Sequence, residues 1–381
     1  PAPIDERVGG RYTQLMNDPT CFGHHTPDTA VCEHCFANRE CERITPMDEP
    51  LSTRQPREVS WVEDRIDASD FNLSLTLYSG QLFRWGRDGD GWWKGIAYGE
   101  AFRIRQDGDR LFYGATSGVI STYAGRMDTP SFLSWFLRTD EPPRTRIARS
   151  DSHLRTARRK MKGFRFVRQD PYECTISYIL SVQAHMGLTK QRLHTLARLL
   201  GEPIDVEGER YFAFPSRFEL GRLSEPYYRH LRFGWRSKFL PIAMGHIIGQ
   251  TPNPDIPSLD GWRKIVDELK ALPNTGVGLK VGKCIDLFSL ERLDAVPVDT
   301  WVRKMAADWY GQEGSDAQIC RWAEERGGRL AGYLNEYLFV TYRELHAPGL
   351  DDRVLSFQAS GQPSTELPFT PIPSCEASAV L

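Results

Sequence analysis

The apolar residues of this chain change their spacing once, near residue 138, and that change divides the fold. Between 59 and 137 the pattern is that of strands. Phe71-Asn72-Leu73-Ser74-Leu75-Thr76-Leu77 alternates, Trp92–Tyr98 and Ala101–Arg105 read as successive antiparallel strands, and glycine turns recur at Ser79-Gly80, Gly86 to Gly91 and Asp107-Gly108. The aromatic residues crowded there read as sheet packing. From 138 onward the period is helical: Ile176, Ile179 and Leu180, then Leu193, Leu196, Leu199 and Leu200, share helix faces, and Trp262–Leu272 forms an amphipathic helix stopped by Pro273. The expected architecture is α+β, an antiparallel β domain at 59–137 followed by an all-α domain at 138–358. Two segments flank it. Residues 1–58 lack periodicity and hold a cysteine cluster; residues 359–381, rich in Pro, Ser and Thr, read as a disordered tail.

A chain of 381 residues, 40% hydrophobic, has room for two or three domains and a sizeable core. The longest apolar stretch, Phe239 to Gly249, is too short for a membrane span and is broken by Pro241, and Pro1–Glu6 has no basic-then-apolar pattern. Eight cysteines at this length do not make a disulfide framework. A soluble intracellular monomer without membrane contact is therefore expected. The net charge of −2 hides an asymmetry: residues 1–70 carry 14 acids and 7 bases, whereas residues 144–168 carry 10 bases against Asp151 alone. The basic run is either a polyanion contact or a solvated helix face.

The segment Leu272-Pro273-Asn274-Thr275-Gly276-Val277-Gly278-Leu279-Lys280-Val281-Gly282-Lys283-Cys284 reads as two helices joined by a Gly-x-Gly turn. Gly276 and Gly278 allow positive φ and close approach to a bulky anion. The second helix then presents free N–H groups and the positive end of its dipole, a phosphate site. Many turns share that outline, and the continuation sharpens it. Lys280 follows the turn, and Asp299, in Val296-Pro297-Val298-Asp299, comes 19 residues later at a helix start where it also fits as an N-cap. A lysine amine acts as a nucleophile only when neutral. With a free pKa of about 10.4 it needs desolvation or neighbouring positive charge, which Lys283 and the helix N-terminus offer.

These residues resemble the helix–hairpin–helix DNA glycosylase superfamily, which shares a Gly-Val-Gly hairpin, a lysine and a Val-Asp, and within it the 8-oxoguanine DNA glycosylases. Ser79-Gly80-Gln81-Leu82-Phe83-Arg84-Trp85 is similar to a signature of that family's N-terminal domain. Asp170-Pro171-Tyr172-Glu173-Cys174, Phe214-Pro215-Ser216, Gly234-Trp235-Arg236 and Ala331-Gly332-Tyr333 to Phe339 fall in the family's order, so the resemblance runs from about 60 to 345. It implies a bifunctional glycosylase and AP lyase of base excision repair acting on double-stranded DNA with a damaged base. Such a protein would work at the nucleoid of a prokaryotic cytoplasm or in a eukaryotic nucleus. Lys280 would attack the anomeric carbon and Asp299 would stabilise the cationic sugar. Gln183, Trp235 and Arg236 would fill the hole left by the extruded nucleotide, Gly80 would accept from N7–H of 8-oxoguanine, and Phe339 and Cys284 would hold the base.

The chain also departs from the family. Asn335 stands where a longer amide reads the base edge, and Trp301 replaces a histidine near the pocket. Gln183 replaces an asparagine and looks more like endonuclease III, and Leu188 stands near an expected arginine. Asn274-Thr275 precede the hairpin where Leu-Pro is usual. The chemistry therefore transfers more fully than the substrate. An oxidised purine, foremost 8-oxoguanine, is expected; another lesion such as an oxidised pyrimidine and a non-catalytic lesion-binding role are the alternatives.

Cys21-x10-Cys32-x2-Cys35-x5-Cys41 supplies four thiolates, enough for a [4Fe–4S] cluster or zinc. The last two gaps equal those of the iron–sulfur loop in endonuclease III and adenine glycosylase relatives, which favours [4Fe–4S]. His24, His25 and His34 keep zinc open as the alternative.

Overall fold

The computed structural model describes residues 54–142, 151–251 and 257–347. The cysteines at 21, 32, 35 and 41 and the tail at 359–381 lie outside the described residues.

A five-stranded antiparallel sheet opens the fold. Its strands are β2 (Val62–Asp67), β3 (Trp85–Arg87), β4 (Trp93–Ala97), β5 (Glu100–Asp107) and β6 (Arg110–Ala115), in the spatial order β2-β6-β5-β4-β3. The register pairs Trp93 with Ile104 and Ile104 with Tyr113. The turn between β3 and β4 is closed by Asp88, whose carboxylate accepts from the amides of Asp90 and Trp92. Trp85 and Phe102 of the sheet stack with Phe132 and Phe136 of the helix Thr129–Phe136 at centroid separations of 5.4 to 6.4 Å. The aromatic crowding is core.

One segment differs from its expected strand. Leu73–Tyr78 is a helix, α1, capped by Asn72, whose side chain accepts from the Leu75 amide at 2.9 Å. The alternating leucines at 73, 75 and 77 fit a strand, but Leu73, Thr76 and Leu77 are the buried set, at helical spacing. The cap decides between the two patterns, since it satisfies a helix N–H that a lone strand has no use for. Ser79–Arg84 is accordingly an irregular bend, with sheet resuming at Trp85.

The remainder is mainly helical, with one addition that the helical period gave no sign of. A hairpin, Pro203–Val206 and Glu209–Phe212, joins the first strand, β1 (Arg57–Val59), in a three-stranded sheet whose first pairing is parallel. Its two-residue turn places Glu207 at φ 50° and Gly208 at φ 81°. The helices that position the site are α4 (Pro171–Leu180), α10 (Leu279–Ser289), α11 (Thr300–Tyr310) and α13 (Ala331–His346), counted along the chain; α9 is Leu259–Ala271, the first helix of the hairpin. Their apolar faces form one cluster with Leu180, Leu193, Leu240, Ile285 and Leu338 buried in it. Arg138, 1% exposed, ties the first part to the second by donating to the Phe166 carbonyl, Glu141 and Glu291.

The basic run does not form one surface. Arg155, Arg158, Arg159, Lys160 and Lys162 are exposed. Arg165 and Arg168 are buried, and Arg168 pairs with Asp140, Glu141 and Glu291, so neither reaches a phosphate. Arg144, Arg146 and Arg149 lie outside the described residues. No helix among the described residues is long and apolar enough to cross a membrane.

Candidate active site

The hairpin is built on Thr275 and Gly276. Thr275 is buried, its hydroxyl donating to the Leu269 carbonyl at 2.8 Å and accepting from the Val277 amide at 3.2 Å. Gly276 takes φ 77°, and a Cβ there would lie 2.8 Å from the Phe239 ring and 3.2 Å from Ile179. Only glycine satisfies both demands. Gly278 is extended, and a Cβ there would meet nothing within 4 Å, so it faces open space. As the N-cap of α10 it supplies no side chain, which leaves the first amides of that helix directed outward beside it.

Lys280 is the second residue of α10 and half-buried. Its ammonium lies 5.6 Å from the centre of the Tyr178 ring and forms no salt bridge among the described residues. Burial pushes the Cys284 thiol, one turn further on, up to about 11, with Lys280 opposing the shift, so Cys284 is a neutral thiol at pH 7. Lys283 does not contribute the positive field expected of it. It pairs with Glu324 and lines a different cavity, on the side of the hairpin that holds Lys270 and Arg292. Asp299 caps α11, accepting from the Val302 amide at 2.8 Å. The N-cap reading and the catalytic one therefore fall on the same carboxylate.

One cavity of about 220 Å³ collects most of the expected residues: Gly80, Lys280, Cys284, Asp299, Trp301, Asn335 and Phe339 all line it. Gly80 is held at its wall by the neighbouring Gln81, which is fully buried. The Gln81 amide donates to the carbonyls of Thr76 and Arg165 and accepts from the Val167 amide. Gly80 itself has φ 91°, and a Cβ there would strike Met186 at 2.8 Å.

Gln183, Trp235 and Arg236 lie outside the cavity lining but beside one another. Gln183 sits at φ 48° in the turn after α4. Arg236 donates to the carbonyls of Val182 at 2.5 Å and Gln183 at 2.8 Å and lies over the Trp235 ring. Two of its guanidinium nitrogens are thus engaged by backbone, and they fasten the Gln183 turn to the Gly234–Lys238 segment. Trp235 is 40% exposed, unusual for a tryptophan and consistent with a wedge.

The cavity also holds residues that the sequence reading passed over, among them Tyr178, Met186, Arg343 and, deepest in consequence, Glu336. The signal for the last was present: an acid inside the otherwise apolar stretch Tyr333–Phe339, next to Asn335. Among the described residues no group of three or more His, Cys, Asp or Glu side chains is placed to hold a metal ion.

A family model for the 8-oxoguanine DNA glycosylase N-terminal domain matches residues 65–175. The chain is 28% identical over 294 residues to the N-glycosylase/DNA lyase OGG1 of Arabidopsis thaliana, covering 74% of this chain and 80% of that one. It is 27% identical over 230 residues to a probable N-glycosylase/DNA lyase of Methanothermobacter thermautotrophicus, covering 54% and 70%. Among solved structures, MBOgg1 in complex with a low-affinity DNA ligand superposes with a TM-score of 0.62 at 27% identity, over 74% of this chain and 96% of that one. The 8-oxoguanine glycosylase/lyase of Clostridium acetobutylicum, bound to double-stranded DNA with cytosine opposite 8-oxoG, gives 0.60 at 24% identity, over 74% and 98%, a likeness of fold.

Proposed function

We propose that this chain, which belongs to the 8-oxoguanine DNA glycosylase family of helix–hairpin–helix proteins, is a bifunctional DNA glycosylase and AP lyase that excises an oxidised purine, 8-oxoguanine foremost, and then nicks the strand. The observation that carries the reading is the meeting, in one cavity, of a lysine without an acidic partner and an N-cap aspartate. Binding alone requires neither group.

A base stacked in duplex DNA is out of reach, so the nucleotide swings out into the cavity, with Gln183, Trp235 and Arg236 entering the gap. The hairpin amides beside Gly278 hold a backbone phosphate. The neutral Lys280 amine attacks the anomeric carbon; the bond to the base breaks, and the base leaves with the electron pair and takes up a proton. The carboxylate of Asp299 stabilises the positive charge that develops on the sugar. Ring opening gives an imine between Lys280 and the sugar. Loss of a proton from the neighbouring carbon then expels the 3′ phosphate by β-elimination, which cuts the strand.

Borohydride reduction during turnover tests this directly. A covalent protein–DNA adduct is expected with duplexes containing 8-oxoguanine, and its loss in Lys280→Gln with DNA affinity retained. No adduct with any lesion refutes the reading. The glutamine at 183 and the spacing of the cysteine cluster favour a second substrate, an oxidised pyrimidine, which a panel of lesion duplexes separates from the first. The proposal also retains Cys21, Cys32, Cys35 and Cys41 as ligands of a [4Fe–4S] cluster, with zinc as the competing occupant. Metal analysis and visible absorption of the purified full chain distinguish the two.

A further inference from the structure

Glu336 sits where packing has no use for a carboxyl. It is 6% exposed on α13, between the buried Asn335 and Tyr337, and it lines the cavity shared by Lys280 and Asp299. Among the described residues it makes no hydrogen bond and no ion pair. A carboxyl that opens onto a cavity from largely apolar surroundings, with no partner, is costly to ionise, and the cost falls when it keeps its proton. Burial lifts this one to about 8, with Arg343 opposing and Asp299 reinforcing the shift. The charged and titratable groups around it are Asp299 at the start of α11, Lys280 and Cys284 on α10, Tyr178 on α4 and Arg343 on its own helix. Burial pushes the Cys284 thiol and the Tyr178 phenol upward as well, so both stay neutral near pH 8.

Resting on the reading of this cavity as a base pocket, we infer that Glu336 is the specificity-determining residue that reads the edge of the extruded base: its neutral carboxyl offers an acceptor and a donor side by side, in place of the longer amide that Asn335 does not supply. A protonated acid matches the N1–H and O6 of an oxidised guanine, its carbonyl oxygen accepting from N1–H while its O–H donates to O6. Asn335, one methylene short of a glutamine, lines the same cavity. The two neighbours on α13 together present the polar surface that a base edge requires.

The test uses the full chain, Glu336→Gln and Glu336→Leu in single-turnover assays from about pH 6 to about pH 9.5. One substrate carries 8-oxoguanine; the other is a preformed abasic duplex, which has no base to read. An amide keeps a donor and an acceptor in place and does not titrate. Glu336→Gln is therefore expected to excise as fast as the parent at low pH and faster above pH 8, where the parent ionises. Glu336→Leu is expected to lose about 10- to 100-fold in excision. All three proteins should nick the abasic duplex alike, which also reports that the leucine variant is folded; if that variant fails there, the ratio of the glutamine variant to the parent across pH decides. A ratio that stays flat, a glutamine variant as impaired as the leucine one, or a leucine variant that excises like the parent overturns the inference. Failure of the underlying functional reading looks different: the parent itself then forms no borohydride adduct.

Discussion

Replacing Asp286 by alanine tests whether the lysine helix owes its position to a buried charge cluster. Asp286 lies on α10 six residues after Lys280, and its side chain is 6% exposed. It accepts from Lys270 at 2.7 and 2.8 Å and from Arg292 at 2.8 Å. Both cations also reach the half-exposed Asp267, Lys270 at 2.9 Å and Arg292 at 2.6 and 2.7 Å, so two carboxylates balance two cations. Removing one member of a buried pair costs about 3–5 kcal/mol. Here Asp267 still holds both cations, and each is about a quarter to a third exposed, which brings the expected loss to about 2–3 kcal/mol. Position suffers as well as stability. The stem of Lys270 crosses α10 at Gly282, where a Cβ would come within 2.9 Å of its Cε, so freeing the ammonium loosens α9 from α10 two residues past Lys280. In urea the unfolding midpoint should fall by about 1 M for a slope of about 2–3 kcal/mol/M. Borohydride trapping should weaken although the lysine is untouched. A midpoint unmoved by Asp286→Ala, or a larger loss from the more exposed Asp267→Ala, would refute the reasoning.

The two hairpin glycines should separate fold from function. Gly276→Ala meets both an unfavourable φ and the Phe239 ring and should cost about 2 kcal/mol by denaturation. Gly278→Ala has ordinary φ and open space, so its stability should match the parent while DNA affinity drops. Trp235→Ala, at a side chain 40% exposed, should change stability by less than about 1 kcal/mol yet slow excision from duplex DNA while leaving nicking of a single-stranded abasic oligonucleotide unchanged. The raised carboxyl of Glu336 predicts a stability profile too. Between about pH 4.5 and about pH 8 the folded state keeps a proton that the unfolded state gives up, so the parent loses about 1.4 kcal/mol per pH unit relative to Glu336→Gln. Thermal melts of the pair that stay parallel across that range would show the carboxyl to be ionised in the fold.

The parts of the molecule that were readable from the residues are those in which backbone geometry dictates residue type. A positive φ against a ring requires glycine at 276, and a helix starting after Pro297 requires a capping side chain at 299; each leaves its mark in the chain. The strands at 93–97 and 100–107 and the helix at 259–271 were legible for a similar reason, because period and turn residues agree there. Where two periods fit the same letters, as at 73–77, a single cap at Asn72 settled the outcome. The hairpin at 203–212 was missed because four-residue strands carry too little pattern to stand out in a helical region.

The same distinction separates the reacting half of the cavity from the reading half. Lys280, Asp299 and Gly80 are placed by a hairpin, a cap and a bend pinned by Gln81, all of them backbone devices that tolerate little change. Trp301, Asn335, Glu336 and Phe339 are side chains on regular helices, where any residue satisfies the backbone and only the shape of the cavity constrains the choice. Substitutions can therefore accumulate in the second group without disturbing the first. The shortened amide at 335, the tryptophan at 301 and the buried acid at 336 all fall there. An arrangement of this kind keeps the attacking amine fixed while the base it accepts is altered, so differences from other glycosylases should appear in excision rates among lesions and not in the rate of cleavage at a bare abasic site. A series of substitutions at 301, 335 and 336 whose effects on abasic nicking matched their effects on excision would show that the two halves are coupled after all.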